Sequence, residues 1–249
     1  MLEVVGVSKT FGTVSAAEEL NVGISAGEVV GIVGANGAGK TVFVNMITGY
    51  EKPSVGRILF EGRDITRLHP REITRLGICR SFQVSQVFTS MTVADNLLMA
   101  LSVRWTTGAA MLKDIKRDSL VREVDALLER FKLVAERKRP AHQLSQGARK
   151  LLDIAMALAG RPRILMLDEP TSGISTDEKF EFMNVVMGAL AKDKVTVMII
   201  EHDMDIIESF VSRVLAFSQG RIICDAPPRE ALSDPDVVQY VLGTSHAGH

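Results

Sequence analysis

Cysteine, aromatic residues and any surplus of charge are what this 249-residue chain has least of. Its two cysteines, Cys79 and Cys224, stand far apart and without metal-ligand spacing. That excludes a disulfide scaffold and predicts thiols packed as small apolar groups. Aromatics make up only 5% of the chain, and 29 basic residues nearly cancel 30 acidic ones. A net charge of −1 therefore gives no global reason to bind nucleic acid or an anionic membrane. No uninterrupted apolar run approaches the ~18 residues of a membrane-crossing helix, and Met1 to Gly12 lacks the basic-then-apolar order of a secretion signal. The expectation is a cytosolic or membrane-peripheral protein. What is abundant points the same way. Hydrophobic residues at 46% and charged residues at 24% suit a soluble fold, either one large α/β domain or two small ones. A chain of this length can bury roughly 70–75% of its unfolded surface.

Two kinds of strand are legible. Leu2–Val7, Leu20–Ile24 and Arg57–Phe60 alternate apolar and polar residues, as half-buried strands of an antiparallel layer do. Val29–Val33, Ile164–Leu167, Val195–Ile200 and Val214–Phe217 are short continuous apolar runs, the pattern of parallel strands covered on both faces. Helical spacing appears at Leu120, Val124, Leu127, Leu128 and Phe131, with charged residues between them. Thr92 followed by Asp95 reads as a capped helix start running toward Ala100. Residues from about 85 to 160 are therefore expected to form a helical subdomain inserted in a mainly parallel α/β core, with Trp105–Ile115 as a loop or frayed helix.

The chemistry begins at Gly34-Ala-Asn-Gly-Ala-Gly39-Lys40-Thr41, which fits G-x4-G-K-[ST] and lies between an apolar strand and a helix-like run. In such a loop Gly34, Asn36, Gly37 and Gly39 let backbone N–H groups converge on phosphate at a helix N-terminus. Lys40 adds a point charge, and the Thr41 hydroxyl suits Mg²⁺. A second strand ends in Asp168-Glu169, two carboxylates at the edge where open α/β sheets bind ligands. They divide naturally into a metal partner, Asp168, and a base that polarises water, Glu169. The two motifs together predict a nucleotide triphosphatase that uses Mg²⁺.

Leu144-Ser-Gln-Gly-Ala148 opens a helix-like run about twenty residues before Asp168, with Ser145 as its cap and Gly147 in its first turn. With this segment the whole chain resembles the ATP-binding subunits of ABC transporters. The resemblance implies the ABC ATPase fold: a P-loop NTPase core, an antiparallel β layer and a helical subdomain. It also implies that Ser145 and Gly147 close over a nucleotide held by a partner subunit, in a signature where Gln146 and Ala148 depart from the usual Gly and Gln. By the same resemblance Gln83 reaches Mg²⁺ or the attacking water, His202 contacts the γ-phosphate, and Phe11 stacks on adenine. Ser175 stands where the loop meeting the partner usually has Asp.

Finer details, Ile200-Glu-His-Asp-Met204, Arg80-Ser-Phe-Gln83 and Pro235–Gly243, are similar to the ATP-binding proteins of branched-chain amino acid importers. Urea and amide importers, organic-acid importers and the lipopolysaccharide-export ATPase share much of the pattern. The resemblance implies two membrane permease subunits, a second and paralogous ATP-binding subunit, an extracytoplasmic solute-binding protein, and a place on the cytoplasmic face of the inner membrane. Val84–Asn96, apolar at Val87, Phe88 and Met91, is expected to receive a permease helix.

Overall fold

Successive residues of the apolar strands face two different cores, and this alternation organises the molecule. The computed structural model describes residues 1–81, 87–102 and 115–243. Strands β1 (Leu2–Phe11), β2 (Val14–Ile24), β4 (Val55–Phe60) and β5 (Arg63–Asp64) form an antiparallel sheet in the order β2-β1-β4-β5. The second sheet holds β3 (Val29–Gly34), β6 (Ile78–Ser81), β7 (Ile164–Asp168), β8 (Thr196–Ile200), β9 (Arg213–Ser218) and β10 (Arg221–Ala226), in the order β10-β9-β3-β8-β7-β6. Its pairings are parallel except at β10. Ile164, Met166, Met198 and Ile200 enter a core shared with the antiparallel sheet and helix α1 (Lys40–Ile47), whereas Leu165, Leu167, Val197 and Ile199 enter the core shared with the other helices. Side chains alternate across a strand, so a strand covered on both sides is apolar at every position.

The remaining helices are α2 (Pro70–Arg75), α3 (Val93–Ser102), α4 (Ile115–Arg130), α5 (Gln146–Ala159), α6 (Thr176–Ala191), α7 (Met204–Phe210), α8 (Pro228–Ser233) and α9 (Pro235–Val237). Local chemistry sets their starts. The Thr92 hydroxyl accepts from the Asp95 N–H at 3.1 Å, and the Asp203 and Ser145 side chains accept from Ile206 and Ala148. On α4, Val124, Leu127 and Leu128 turn inward with Phe131. From 87 to 160 the described residues hold α3, α4, α5 and two 3₁₀ turns, and among them no strand.

Several boundaries differ from the sequence reading. The first two strands are longer because they join as a hairpin, Phe11 opposite Val14, and register shifts between Val4 and Thr10 break the alternation that would have revealed it. Strands β5, β6 and β10 and helices α2, α6, α7, α8 and α9 are additions. Of the loop or frayed helix expected over Trp105–Ile115, residues 105–114 lie outside the described residues and Ile115 begins α4. Cys79 and Cys224 are free and half-buried, and burial pushes the Cys79 thiol up to about 11. Among the described residues no helix is long and apolar enough to cross a membrane.

Candidate nucleotide site

The glycine-rich loop follows β3 directly, and its shape depends on missing side chains. Gly34, Gly37 and Gly39 have φ of 151°, 80° and 103°. A Cβ on Gly39 would lie 2.8 Å from the Ala16 carbonyl oxygen, and one on Gly34 would lie 2.5 Å from that of Phe217. At Gly37 a Cβ would meet nothing, so the loop presents its backbone to open space beside exposed Asn36. Gly39 caps α1 with no side chain, leaving the N-terminal N–H groups for an anion. Lys40 is buried, and its ammonium donates to the carbonyls of Gly34 at 2.6 Å and Ala35 at 3.0 Å. Desolvation lowers its pKa, against the opposing pull of Glu169 and Asp168. Thr41, next on the helix, is exposed.

Asp168 ends β7 in an ion pair with Arg80 of the neighbouring strand β6, and Arg80 also donates to Asn45 Oδ1 at 2.7 Å. Glu169 follows with φ +47°, and its carboxylate Oε1 lies 3.3 Å from Nε2 of His202, beyond the end of β8. Lys40, Asp168, Glu169 and His202 therefore meet at the C-terminal ends of β3, β7 and β8. That edge is where parallel α/β sheets place ligands.

Four residues without a role in the sequence reading hold this edge together. Glu201 is buried, and its Oε1 accepts from the Thr171 N–H at 2.8 Å and the Thr171 hydroxyl at 2.5 Å. Its Oε2 accepts from the His202 N–H at 3.1 Å. Lys150 of α5 donates to the carbonyls of Glu169 at 2.9 Å and Pro170 at 3.0 Å. Arg80 is the fourth, through Asp168. The adjacency of Glu201 to His202 was the one available signal.

The signature residues stand elsewhere. Ser145 and Gly147 line a cleft of about 340 Å³ with Gly173, Ile174 and Phe182, in which no residue of the glycine-rich loop takes part. Gln146 folds against Gly173 and donates weakly to the Ser172 carbonyl at 3.4 Å. Ser175 donates from Oγ to Glu178 Oε2 at 2.7 Å at the start of α6. Phe11 ends β1 on the antiparallel sheet, 46% exposed, with Lys9 Nζ 4.6 Å above its ring. Gln83 and Val84 lie outside the described residues. Phe88 is 49% exposed, but Val87 packs against the helical core rather than outward.

Residues 17–172 match the family model of the ABC transporter domain. The chain is 33% identical over 253 residues to the high-affinity branched-chain amino acid transport ATP-binding protein BraF of Pseudomonas aeruginosa, covering 98% of both chains. It is 33% identical over 250 residues to the corresponding LivG protein of Escherichia coli K12, again covering 98% of both. A solved ADP conformation of an ABC transporter ATP-binding cassette superposes with a TM-score of 0.83 at 32% identity, over 96% of each chain. A nucleotide-free cassette gives 0.80 at 30% identity, over 96% of this chain and 97% of that one. With this fold, this phosphate loop and this likeness along its length, the chain belongs to the ABC transporter family and is one of its ATP-hydrolysing, ATP-binding proteins.

Proposed function

We propose that the chain powers import of branched-chain amino acids or a related small polar solute. It does so as one of two ATP-binding subunits docked under two membrane permease subunits at the cytoplasmic face of the inner membrane. An extracytoplasmic binding protein delivers the solute. The observation that carries this reading is the convergence of Lys40, Asp168, Glu169 and His202 at one sheet edge, in a chain that aligns almost end to end with amino acid transport ATP-binding proteins.

In this reading the triphosphate lies on the loop from Gly34 to Thr41, with the Lys40 ammonium turned from its two carbonyl acceptors toward the β- and γ-phosphates. Asp168 and the Thr41 hydroxyl are hard oxygen donors suited to Mg²⁺, and the largely buried Asp168 carboxylate is already held by a cation, Arg80. The metal would neutralise phosphate charge. Glu169 accepts a hydrogen bond from the attacking water and draws its proton, while His202 supports the γ-phosphate and the Glu169 carboxylate. Gln83 links the site to the helical subdomain over residues 85–160. Ser145 and Gly147 serve the partner's nucleotide, so each of two composite sites needs both subunits, and Phe11 stacks on adenine. No role for nucleic acid is proposed.

Uptake of radiolabelled leucine, isoleucine and valine tests the proposal in cells lacking this chain. Uptake should fall in the deletion strain and return with the wild-type chain but not with Glu169→Gln. Undiminished uptake in the deletion strain would contradict it.

A further inference from the structure

Glu169 holds a backbone conformation that glutamate seldom adopts, φ +47°, and such a residue persists only where its surroundings over-determine it. Three hydrogen bonds do so. Its N–H donates to the Ile200 carbonyl at 2.9 Å, and its own carbonyl accepts from the Ser172 N–H at 3.1 Å and from the Lys150 ammonium at 2.9 Å. The same ammonium reaches the Pro170 carbonyl at 3.0 Å, so Lys150 clamps both peptides that follow the carboxylate. Lys150 is only 8% exposed. A buried ammonium is costly, and on this buried side of α5, one turn before Ile154, an apolar side chain would pack without that cost. The charge therefore needs a reason in the loop it holds. Glu201, Glu169 and Asp153 offset part of the desolvation that lowers the Lys150 pKa. Glu201 in turn joins the Glu169 loop to His202 through Thr171.

We infer that Lys150 is a positioning residue for hydrolysis: by holding the Glu169 and Pro170 carbonyls it fixes the left-handed turn that aims the Glu169 carboxylate. The start of the same helix carries Ser145 as its cap and Gly147 in its first turn. A rigid α5 thus ties the placement of the signature to the aim of the base one turn further along, and the Lys150 ammonium carries a shift of α5 directly to the Glu169 and Pro170 carbonyls. This rests on the reading of Glu169 as the base.

The test is steady-state hydrolysis and ATP-Mg²⁺ affinity of the full-length chain as wild type, Lys150→Met, Lys150→Arg, Glu169→Gln and the Lys150→Met/Glu169→Gln double variant. Misaiming a reacting group by about 1 Å costs on the order of 10²-fold in rate, so Lys150→Met should lose about 10–100-fold in kcat while ATP affinity stays within about twofold. Lys150→Arg, which can still donate to two carbonyls, should recover most of the rate. The Met substitution should cost nothing further in the Glu169→Gln background, because both changes act through one carboxylate. Wild-type turnover in Lys150→Met would overturn the proposal. Parallel loss of folding or nucleotide affinity, or an undiminished penalty in the double variant, would make Lys150 a packing residue and overturn it too. Near-normal turnover of Glu169→Gln alone would instead remove the base assignment beneath it.

Discussion

The imidazole of His202 and the carboxylate of Glu169 face each other at 3.3 Å, although they follow different strands, β8 and β7. The strands are neighbours with Asp168 opposite Ile200, so each chain direction delivers its chemical group to the same edge one or two residues later. The His202 side chain is 44% exposed and can meet both a nucleotide and the Glu169 carboxylate. His202→Ala should lower hydrolysis by on the order of 10²-fold. ADP affinity should stay near wild type, since the role assigned to His202 concerns the third phosphate. Equal rates for the two proteins would remove His202 from the reaction.

Nucleotide binding should weaken in alkaline solution. Desolvation lowers the Lys40 pKa in the free chain, while phosphates beside the ammonium favour its charged form and raise the pKa again. Above the lowered free-state value, binding must take up a proton, so affinity falls as pH rises toward the ordinary lysine value of about 10.4. Titration calorimetry from about pH 7 to about pH 10 should show this fall and the proton uptake, and Lys40→Met should show neither. A pH-independent affinity in the wild type would contradict the assignment.

The segment before α3 separates surface from scaffold. Asn96 is fully buried. Its side chain accepts from the Phe88 N–H at 2.8 Å and donates to the carbonyls of Phe88, Met91 and Thr92. Asn96→Ala should cost about 1–3 kcal/mol of stability, seen as a lower midpoint in denaturant. Phe88→Asp, at an exposed ring, should change stability by no more than about 0.5 kcal/mol. It should nevertheless release the chain from permease-containing membranes in a flotation assay. Retained membrane association would place the permease contact elsewhere.

Pairing should favour an unlike partner. Gln146 and Ser175 are engaged within their own subunit, with Gly173 and Glu178 respectively. A symmetric homodimer requires one patch to fit itself, a demand that a paralogue relaxes. With Glu169→Gln to trap ATP, sedimentation should show ATP-dependent pairing that strengthens when the paralogous ATP-binding protein is added, because the ligand binds only the closed pair. A tight homodimer without ATP would defeat this reading.

The local motifs were readable because their chemistry lies within a few residues of a strand end. Gly34–Thr41 and Asp168-Glu169 each follow an apolar run that is continuous because two cores cover it. The supporting residues were not readable. Lys150 touches Glu169 across 19 positions and Glu201 touches Thr171 across 30, and in the sequence each looks like any surface charge. Arg80 and β6 escaped notice because an edge strand of four residues, Ile-Cys-Arg-Ser, shows no period. Helix α6 buries Phe182, Met183, Val185, Val186, Ala189 and Leu190 on so wide a face that amphipathic spacing is blurred.

Whether Glu169 activates water at a site whose nucleotide contacts come from other residues is decided by comparing Glu169→Gln with wild type in ATP-Mg²⁺ binding and in hydrolysis on the same sample. The variant should keep its affinity within about twofold and lose roughly 10²–10⁴-fold in turnover. Hydrolysis near the wild-type rate, with binding intact, would contradict that role.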